Sequence, residues 1–150
     1  MKKNIVKTLL LCGTLSSLLC STLSAAYIRE SANDIVLDTT NKMVWQDDSA
    51  VTSTTYTWSD ALTHCDTLSL GSFSDWRLPN KNELSLLADR SKISPALDDV
   101  FVNTNSSYCW SSTTYVGDAT VAWGVYFGNG SDGIHNKANS GYVRCVRGGQ

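Results

Sequence analysis

The chain begins with a basic segment that runs directly into an apolar stretch. Three lysines lie within the first seven residues, and residues 8–19 are mostly apolar. Small side chains follow at residues 24–26, which is typical of a secretory signal peptide cleaved after Ala26. A membrane span needs roughly 20 apolar residues, whereas this stretch is shorter and is diluted by Gly, Ser and Thr. We therefore interpret residues 1–26 as a signal peptide and residues 27–150 as a single mature domain.

An alternative at this end of the chain is lipid attachment to Cys20, which would become the first mature residue. That processing requires a small side chain before the cysteine, whereas Leu19 stands there. We therefore expect no lipidation, and a mature protein that is secreted or periplasmic.

Removal of the leader changes the charge of the chain. The 124 residues that remain of 150 contain nine Lys and Arg against 14 Asp and Glu, so the net charge moves from −2 to −5. An acidic surface repels nucleic acid, and no run of basic residues follows residue 26. No second apolar stretch is long enough to cross a bilayer. We expect neither a nucleic-acid partner nor a membrane span in the mature chain.

Two segments carry the start signals of helices. Thr57 with Asp60, and Asn80 with Glu83, have the spacing of a capping box. The apolar residues that follow are spaced as the buried stripe of a helix. The first stripe is Ala61, Leu62, Cys65 and Leu68, with Gly71 as the stop, and the second is Leu84, Leu87 and Ala88, ending near Arg90.

The other patterns predict strands on either side of these two helices. Short β-rich runs at residues 33–38 and 42–46 predict an opening hairpin, and residues 47–57 read as a polar loop. The last third of the chain holds three further β-type runs, at residues 108–114, 121–127 and 141–146. This order indicates an α+β fold, because a parallel sheet would require strands that alternate with helices.

Three cysteines remain in the mature chain, one more than a single disulfide needs. Cys65, Cys109 and Cys145 allow three pairings. The helical stripe turns Cys65 toward the core, and Cys145 shares a strand face with the apolar Val143. We therefore predict a Cys65–Cys145 bridge, with Cys109 left as a buried free thiol. An intermolecular bridge through Cys109 is the alternative.

Four sequence blocks occur in order along the mature chain. They are KMVWQ at residues 42–46, WSDA at 58–61 leading to Cys65, WRLPNKNEL at 76–84, and YCWSSTT at 108–114 followed by GYVRCVRG at 141–148. Together they resemble the Lcl C-terminal domain family, a bacterial family long catalogued as a domain of unknown function. The resemblance spans about residues 33–149.

The resemblance implies a fold similar to C-type lectin domains, with two helices flanking a twisted antiparallel sheet and the chain ends brought together. In such a fold, Cys65–Cys145 looks like the bridge from the first helix to the last strand, whereas Cys109 stands where family members usually carry another residue. Family members are exported, and some are adhesion modules that bind sulfated polysaccharide. Such a ligand needs Arg and Lys clusters, so most of the nine basic residues would have to share one face.

Aromatic residues and one polar segment are the candidate ligand-binding positions. Exposed aromatic rings can stack on sugars, and the polar segment, residues 129–139, joins two strands, where binding residues are common. The candidates are Trp110, Trp123, Tyr126, Asn129, Asp132, His135, Asn136 and Lys137. The alternative is that the rings are core residues and that the segment is a solvated hairpin loop.

Trp76, Arg77 and Glu83 form a second cluster in the sequence. We interpret it as a structural motif rather than a binding site. Arg77 is expected to form an ion pair or to bind backbone carbonyls beneath the turn that holds Trp76.

The sequence shows no pattern of catalytic or metal-binding residues. It has two histidines, no Gly-x-Ser-x-Gly turn and no zinc-ligand spacing, and the calcium-binding triplets of lectins are absent. We expect no catalytic residue, no metal and no cofactor. The leading hypothesis is a non-catalytic recognition or adhesion module that binds a glycan or cell-surface polymer. The alternative is a structural or assembly subunit of an envelope or surface complex, with an envelope protein as its partner.

Overall fold

The computed structural model describes residues 26–149. Within them, seven strands form two antiparallel sheets and three helices connect the strands, which confirms the predicted α+β class. The predicted signal peptide lies outside the described residues except for Ala26. The elements are β1 (Tyr27–Glu30), β2 (Ile35–Asp38), β3 (Met43–Gln46), α1 (Ala50–Ser53), α2 (Trp58–Thr67), α3 (Lys81–Leu87), β4 (Tyr108–Thr114), β5 (Val121–Tyr126), β6 (Ser131–Asn136) and β7 (Val146–Gly148).

The strands divide between two sheets, whereas a single sheet was expected. The first sheet has the order β1-β2-β3-β7 and the second has the order β4-β5-β6. The closing strand also begins later than predicted, at Val146 rather than at residue 141. Before Val146, the Cys145 N–H donates to the side-chain oxygen Oε1 of Gln46 rather than to a backbone carbonyl, and Gly141 and Tyr142 form only isolated bridges.

The first sheet is built on the predicted hairpin. β2 pairs with β3 through a turn in which Asp38 Oδ1 accepts hydrogen bonds from the backbone N–H groups of Thr40 and Asn41. β1, which the sequence patterns did not reveal, pairs with β2 on the outer side. β7 pairs with β3 on the inner side, so the first and last strands of the described chain lie in the same sheet.

Local capping positions the two longer helices, as predicted. The Thr57 side chain accepts a hydrogen bond from the Asp60 N–H at the start of α2. Asn80 and Glu83 form a reciprocal capping box at the start of α3. Both helices end earlier than predicted, at Thr67 and Leu87.

Gly71 does not cap α2. It lies at a positive φ of 60° within the turn that closes the Leu70–Phe73 bridge, a backbone conformation that glycine adopts without steric cost.

The second sheet contains the largest difference from the sequence-based expectations. Part of the segment expected to be a loop, residues 131–136, forms β6 and pairs with β5 along its whole length. A further difference is α1, which lies in the predicted loop at residues 47–57. The strand over residues 108–114 is confirmed as β4 with the predicted bounds.

Two apolar clusters lie on either side of the second sheet. Val125 and Phe127 are buried in one cluster together with Trp45, Leu84 and Leu87 on the opposing elements. The second cluster contains Ala61, Cys65, Trp76, Trp110, Ala122, Val143 and Cys145. β5 is therefore covered on both faces, and its apolar alternation does not separate a core side from a solvent side.

The predicted disulfide is confirmed. Cys65 on α2 is bonded to Cys145, 80 residues later in the chain, with a Cα–Cα distance of 5.5 Å. Cys109 is a buried free thiol, as predicted.

None of the helices within residues 26–149 has the length and apolar character needed to cross a lipid bilayer.

Candidate functional site

The structure separates the predicted ligand-binding residues between the two faces of the second sheet. Successive side chains of a strand point to opposite faces, so Asp132 and His135 on β6 diverge. Asp132 lies with Trp123 near α3, whereas His135 lies over Tyr108. The eight candidates therefore do not form one shared groove.

On the α3 face, a lysine joins two of the candidates. Lys81 Nζ lies 3.8 Å from the centre of the Trp123 ring and 2.7 Å from Asp132 Oδ2. The hydrogen bond from Lys81 lowers the pKa of Asp132. Tyr115 packs edge-on against the same tryptophan, with the ring centres 5.7 Å apart. These side chains contact one another and hold the start of α3 against the sheet.

On the opposite face, two candidates lie over aromatic rings. His135 packs on Tyr108 with the ring centres 3.7 Å apart, and Lys137 Nζ lies 3.9 Å from the centre of the Trp58 ring. His135 is exposed, and the other three side chains are partly exposed. We call Trp58, Tyr108, His135 and Lys137 the aromatic surface.

Hydrogen bonds fix the rings of the aromatic surface. Trp58 Nε1 donates to the Ser111 carbonyl at 2.9 Å, and Lys137 Nζ donates to Thr114 Oγ1 at 2.8 Å. The Tyr108 hydroxyl donates to the Ala122 carbonyl at 3.3 Å. Burial raises the pKa of Tyr108, which keeps this hydroxyl protonated. The surface is therefore preorganised.

Trp110 supports this surface from below and is not itself exposed. Its relative exposure is 0%, and its Nε1 donates to the Tyr56 carbonyl at 2.9 Å. Gly141 packs directly against the ring, since a Cβ there would lie 2.8 Å from Trp110 Nε1. Trp110 is thus a core residue in this structure, which was the alternative interpretation from the sequence.

The remaining candidates lie in or beside turns. Asn129 Oδ1 accepts from the Ser131 N–H, and Asn136 Oδ1 accepts from the Ala138 N–H. Tyr126 is 45% exposed and covers Gly128, where a Cβ would lie 2.2 Å from the tyrosine ring. Each of these side chains has a local structural partner.

Arg77 forms both kinds of contact that the sequence led us to expect, an ion pair and a hydrogen bond to a backbone carbonyl. Arg77 donates to both carboxylate oxygens of Glu83, at 2.8 and 2.7 Å, and to the Gly148 carbonyl at 2.9 Å. Burial raises the pKa of Glu83, but hydrogen bonds from Arg77 and from the Asn80 N–H outweigh it and hold the pKa below its usual value. Trp76 Nε1 donates to the Leu70 carbonyl. The motif joins the start of α3 to the last strand.

Cys109 lies in an environment that suppresses thiol chemistry. Burial raises its pKa to about 11, although the nearby Arg144 acts in the opposite direction. The thiolate is the nucleophilic form of cysteine, so the raised pKa favours the less reactive thiol form of Cys109 at neutral pH. Within residues 26–149, no three His, Cys, Asp or Glu side chains are grouped as metal ligands.

A surface cleft of about 420 Å³ lies away from every predicted candidate except Arg77. It is lined by Leu62, Thr63, Asp66, Arg77, Leu78 and Ser112, from α2, β4 and the segment before α3. Sequence patterns gave no indication of it, because its walls come from three separate segments of the chain. Sequence patterns likewise did not place Trp58 and Tyr108 in a binding surface, because the residues that they contact there are distant in the sequence.

Comparison with known proteins gives one positive result. Among curated proteins, no match to the chain was found. A family model described as the Lcl C-terminal domain matches residues 34–147, which include the four sequence blocks except for Gly148, both bridged cysteines and every residue of the aromatic surface. The chain belongs to the Lcl C-terminal domain family.

Proposed function

We propose that the protein is an exported bacterial recognition module that binds a carbohydrate or surface polymer, without catalysis, through the aromatic surface. The observation that carries this proposal is the pair of ring–base contacts, Tyr108 with His135 and Trp58 with Lys137. Aromatic rings offer apolar area with little conformational entropy to lose, and the basic groups that lie over them can bind hydroxyl or acidic substituents. The signal-like leader supports export.

The proposed scaffold is a variant of the C-type-lectin-like fold. Two observations support it. The first and last strands of the described chain share one sheet, which brings the chain ends together. The disulfide joins α2 to the residue directly before β7. Both are features that the family resemblance led us to expect.

The distribution of charge favours a neutral or weakly acidic ligand over a sulfated polymer. Of the nine basic residues after residue 26, six form salt bridges with carboxylates: Arg29, Arg77, Lys81, Lys92, Arg144 and Arg147. Within residues 26–149, only Lys42, Arg90 and Lys137 form no salt bridge with a carboxylate. Polyanions are held by clusters of cations, and only these three are free of salt bridges on a mature chain whose net charge, with all nine basic residues counted, is −5.

The proposal can be tested on a glycan array with the disulfide-intact mature protein. His135→Ala and Lys137→Ala should each weaken binding to the best glycan by about tenfold, the loss expected when a contact worth about 1.4 kcal/mol is removed. Ile134→Ala is the matched control, because Ile134 is exposed on the same strand and points to the other face. The Ile134→Ala variant should bind the same glycan with an affinity within about twofold of the wild type. A folded protein that binds no glycan, or variants that bind as well as the wild type, would refute the proposal.

A second candidate function is that of an assembly subunit, and β6 favours it. This strand is the outer one of its sheet, and five of its six residues are exposed, including Ile134 at 44%. An uncovered strand edge can pair with another chain. Sedimentation measurements that show a stable oligomer, dispersed by Ile134→Lys, would support this function. A monomer at all concentrations would argue against self-assembly through β6.

A further inference from the structure

The cleft beside α2 has the size and composition of a small-ligand site. Its volume of about 420 Å³ falls within the range of roughly 300–1,000 Å³ that is usual for ligand pockets. Leu62 and Leu78 supply apolar surface, and Thr63 and Ser112 add hydroxyl oxygens that can accept hydrogen bonds. We call it the α2 cleft. It shares no residue with the aromatic surface, so it stands apart from the proposed glycan function.

The charges that line the α2 cleft do not cancel. Arg77 is neutralised by its two-point contact with Glu83, and it also donates to the Gly148 carbonyl. Asp66 is exposed, and its carboxylate forms no hydrogen bond or ion pair with any side chain of residues 26–149. The cleft therefore carries one uncompensated negative charge at its rim.

This arrangement selects the ligand by charge and by shape. An anion is disfavoured, because Arg77 is already paired and Asp66 repels negative charge. A cation on a flexible apolar stem fits both features, since the stem can lie along the two leucines while the charged head remains near the rim. A primary ammonium has three donors and no acceptor, which suits a cleft whose lining includes a carboxylate and two hydroxyl groups.

We propose that the α2 cleft binds a primary alkylammonium group, with Asp66 as the anion that pairs with it and with Leu62 and Leu78 against its methylene chain. Two sources carry this chemistry: a free diamine and the side chain of a lysine in a partner protein. A single exposed ion pair contributes little, so the isolated group should bind with a Kd of about 1 mM or weaker.

The experiment is an NMR titration of the ¹⁵N-labelled mature protein. The probes are cadaverine and a lysine amide capped at its N-terminus, and the charge-free control is the same compound acetylated on Nε. The expected result is that amide shifts concentrate at residues 62–66, 77–78 and 112 with both amines, and are absent with the acetylated compound. Raising the salt to about 0.5 M should weaken the binding, since salt screens exposed charges.

Two variants assign the effect to Asp66. Asp66→Asn should weaken binding of both amines at least fivefold, and Asp99→Asn should leave it unchanged. Asp99 is the matched control, since it is an exposed acid that does not line the cleft. Both variants alter surface positions, and unchanged spectra away from the substitution will verify folding.

Equal binding by the wild type and Asp66→Asn, or equal shifts around every acidic residue, would overturn the proposal. A peptide with an internal lysine that binds at least tenfold more tightly than cadaverine would support the site and assign it to a protein partner. Similar affinities for the lysine peptide and for cadaverine would support the site and assign it to free amines.

Discussion

Arg144 and Asp47 form an ion pair inside the protein, with Arg144 Nη1 2.9 Å from Asp47 Oδ1 and side-chain exposures of 3% and 0%. Arg29 from β1 reaches the same carboxylate from the other side. The Asp47 carboxylate also accepts hydrogen bonds from the backbone N–H groups of Val102 and Asn103. One buried carboxylate thus joins the first strand, the long connection before β4 and the segment that carries the disulfide.

We predict that Asp47→Asn destabilises the protein by about 3–5 kcal/mol, because it leaves the buried Arg144 guanidinium without its anion. It also removes one of the two carboxylates that Arg29 contacts. The free energy of unfolding, measured by denaturant titration, tests this prediction. Asp99→Asn breaks the exposed pair of Asp99 with Lys92 and should change the free energy of unfolding far less, because solvent screens exposed charges. A similar small loss for Asp47→Asn would show that the buried network does not contribute as described.

Loss of the Cys65–Cys145 bridge should also be costly. The bridge closes a loop of 80 residues, which in the chain-entropy treatment contributes roughly 4 kcal/mol. We therefore expect the double variant Cys65→Ser, Cys145→Ser to unfold at a clearly lower temperature than the wild type. Cys109→Ala should cost less, about 1 kcal/mol. Peptide mapping of the unreduced protein should find the 65–145 link, and a link to Cys109 would contradict the structure.

Local signals in the sequence predicted the features that depend on few residues. The capping residues Thr57 and Asn80 mark the starts of α2 and α3 because they satisfy backbone N–H groups within one turn. The spacing of apolar residues along α2 also showed that Cys65 faces the core. Cys145 could then be predicted as its disulfide partner, because it shares a strand face with the apolar Val143. Arg77 and Glu83 are six residues apart, so their ion pair could also be anticipated.

Features imposed by distant partners could not be predicted. β6 has mostly polar side chains with no apolar alternation, and its strand conformation comes from pairing with β5. The burial of Trp110 depends on Tyr56 and Gly141, which are 54 and 31 positions away. The aromatic surface and the α2 cleft likewise exist only where separate segments meet. The eight sequence candidates therefore divide between two faces of the sheet.

The raised pKa of Cys109, about 11, predicts a low rate of alkylation in the folded protein. Because the thiolate is the reactive form, iodoacetamide at pH 9 should modify Cys109 at least tenfold more slowly in the folded protein than in denaturant. Mass spectrometry over time measures both rates. Equal rates would mean that the thiol is accessible and readily ionised, contrary to its complete burial.

His64 makes stability sensitive to mild acid. It stacks on Tyr56 with the ring centres 4.5 Å apart, and its Nε2 is buried without a hydrogen-bond partner among the described residues. Burial lowers its pKa from 6.5, so the unfolded chain binds a proton more readily than the folded one. Stability is therefore complete above pH 6.5 and falls as the pH drops toward the folded-state pKa. His64→Phe keeps the ring contact and should remove this loss, as measured by unfolding free energies between pH 7 and pH 5. An unchanged pH dependence in His64→Phe would show that another group titrates, and NMR of the two histidines in the wild type should place the His64 midpoint below 6.5.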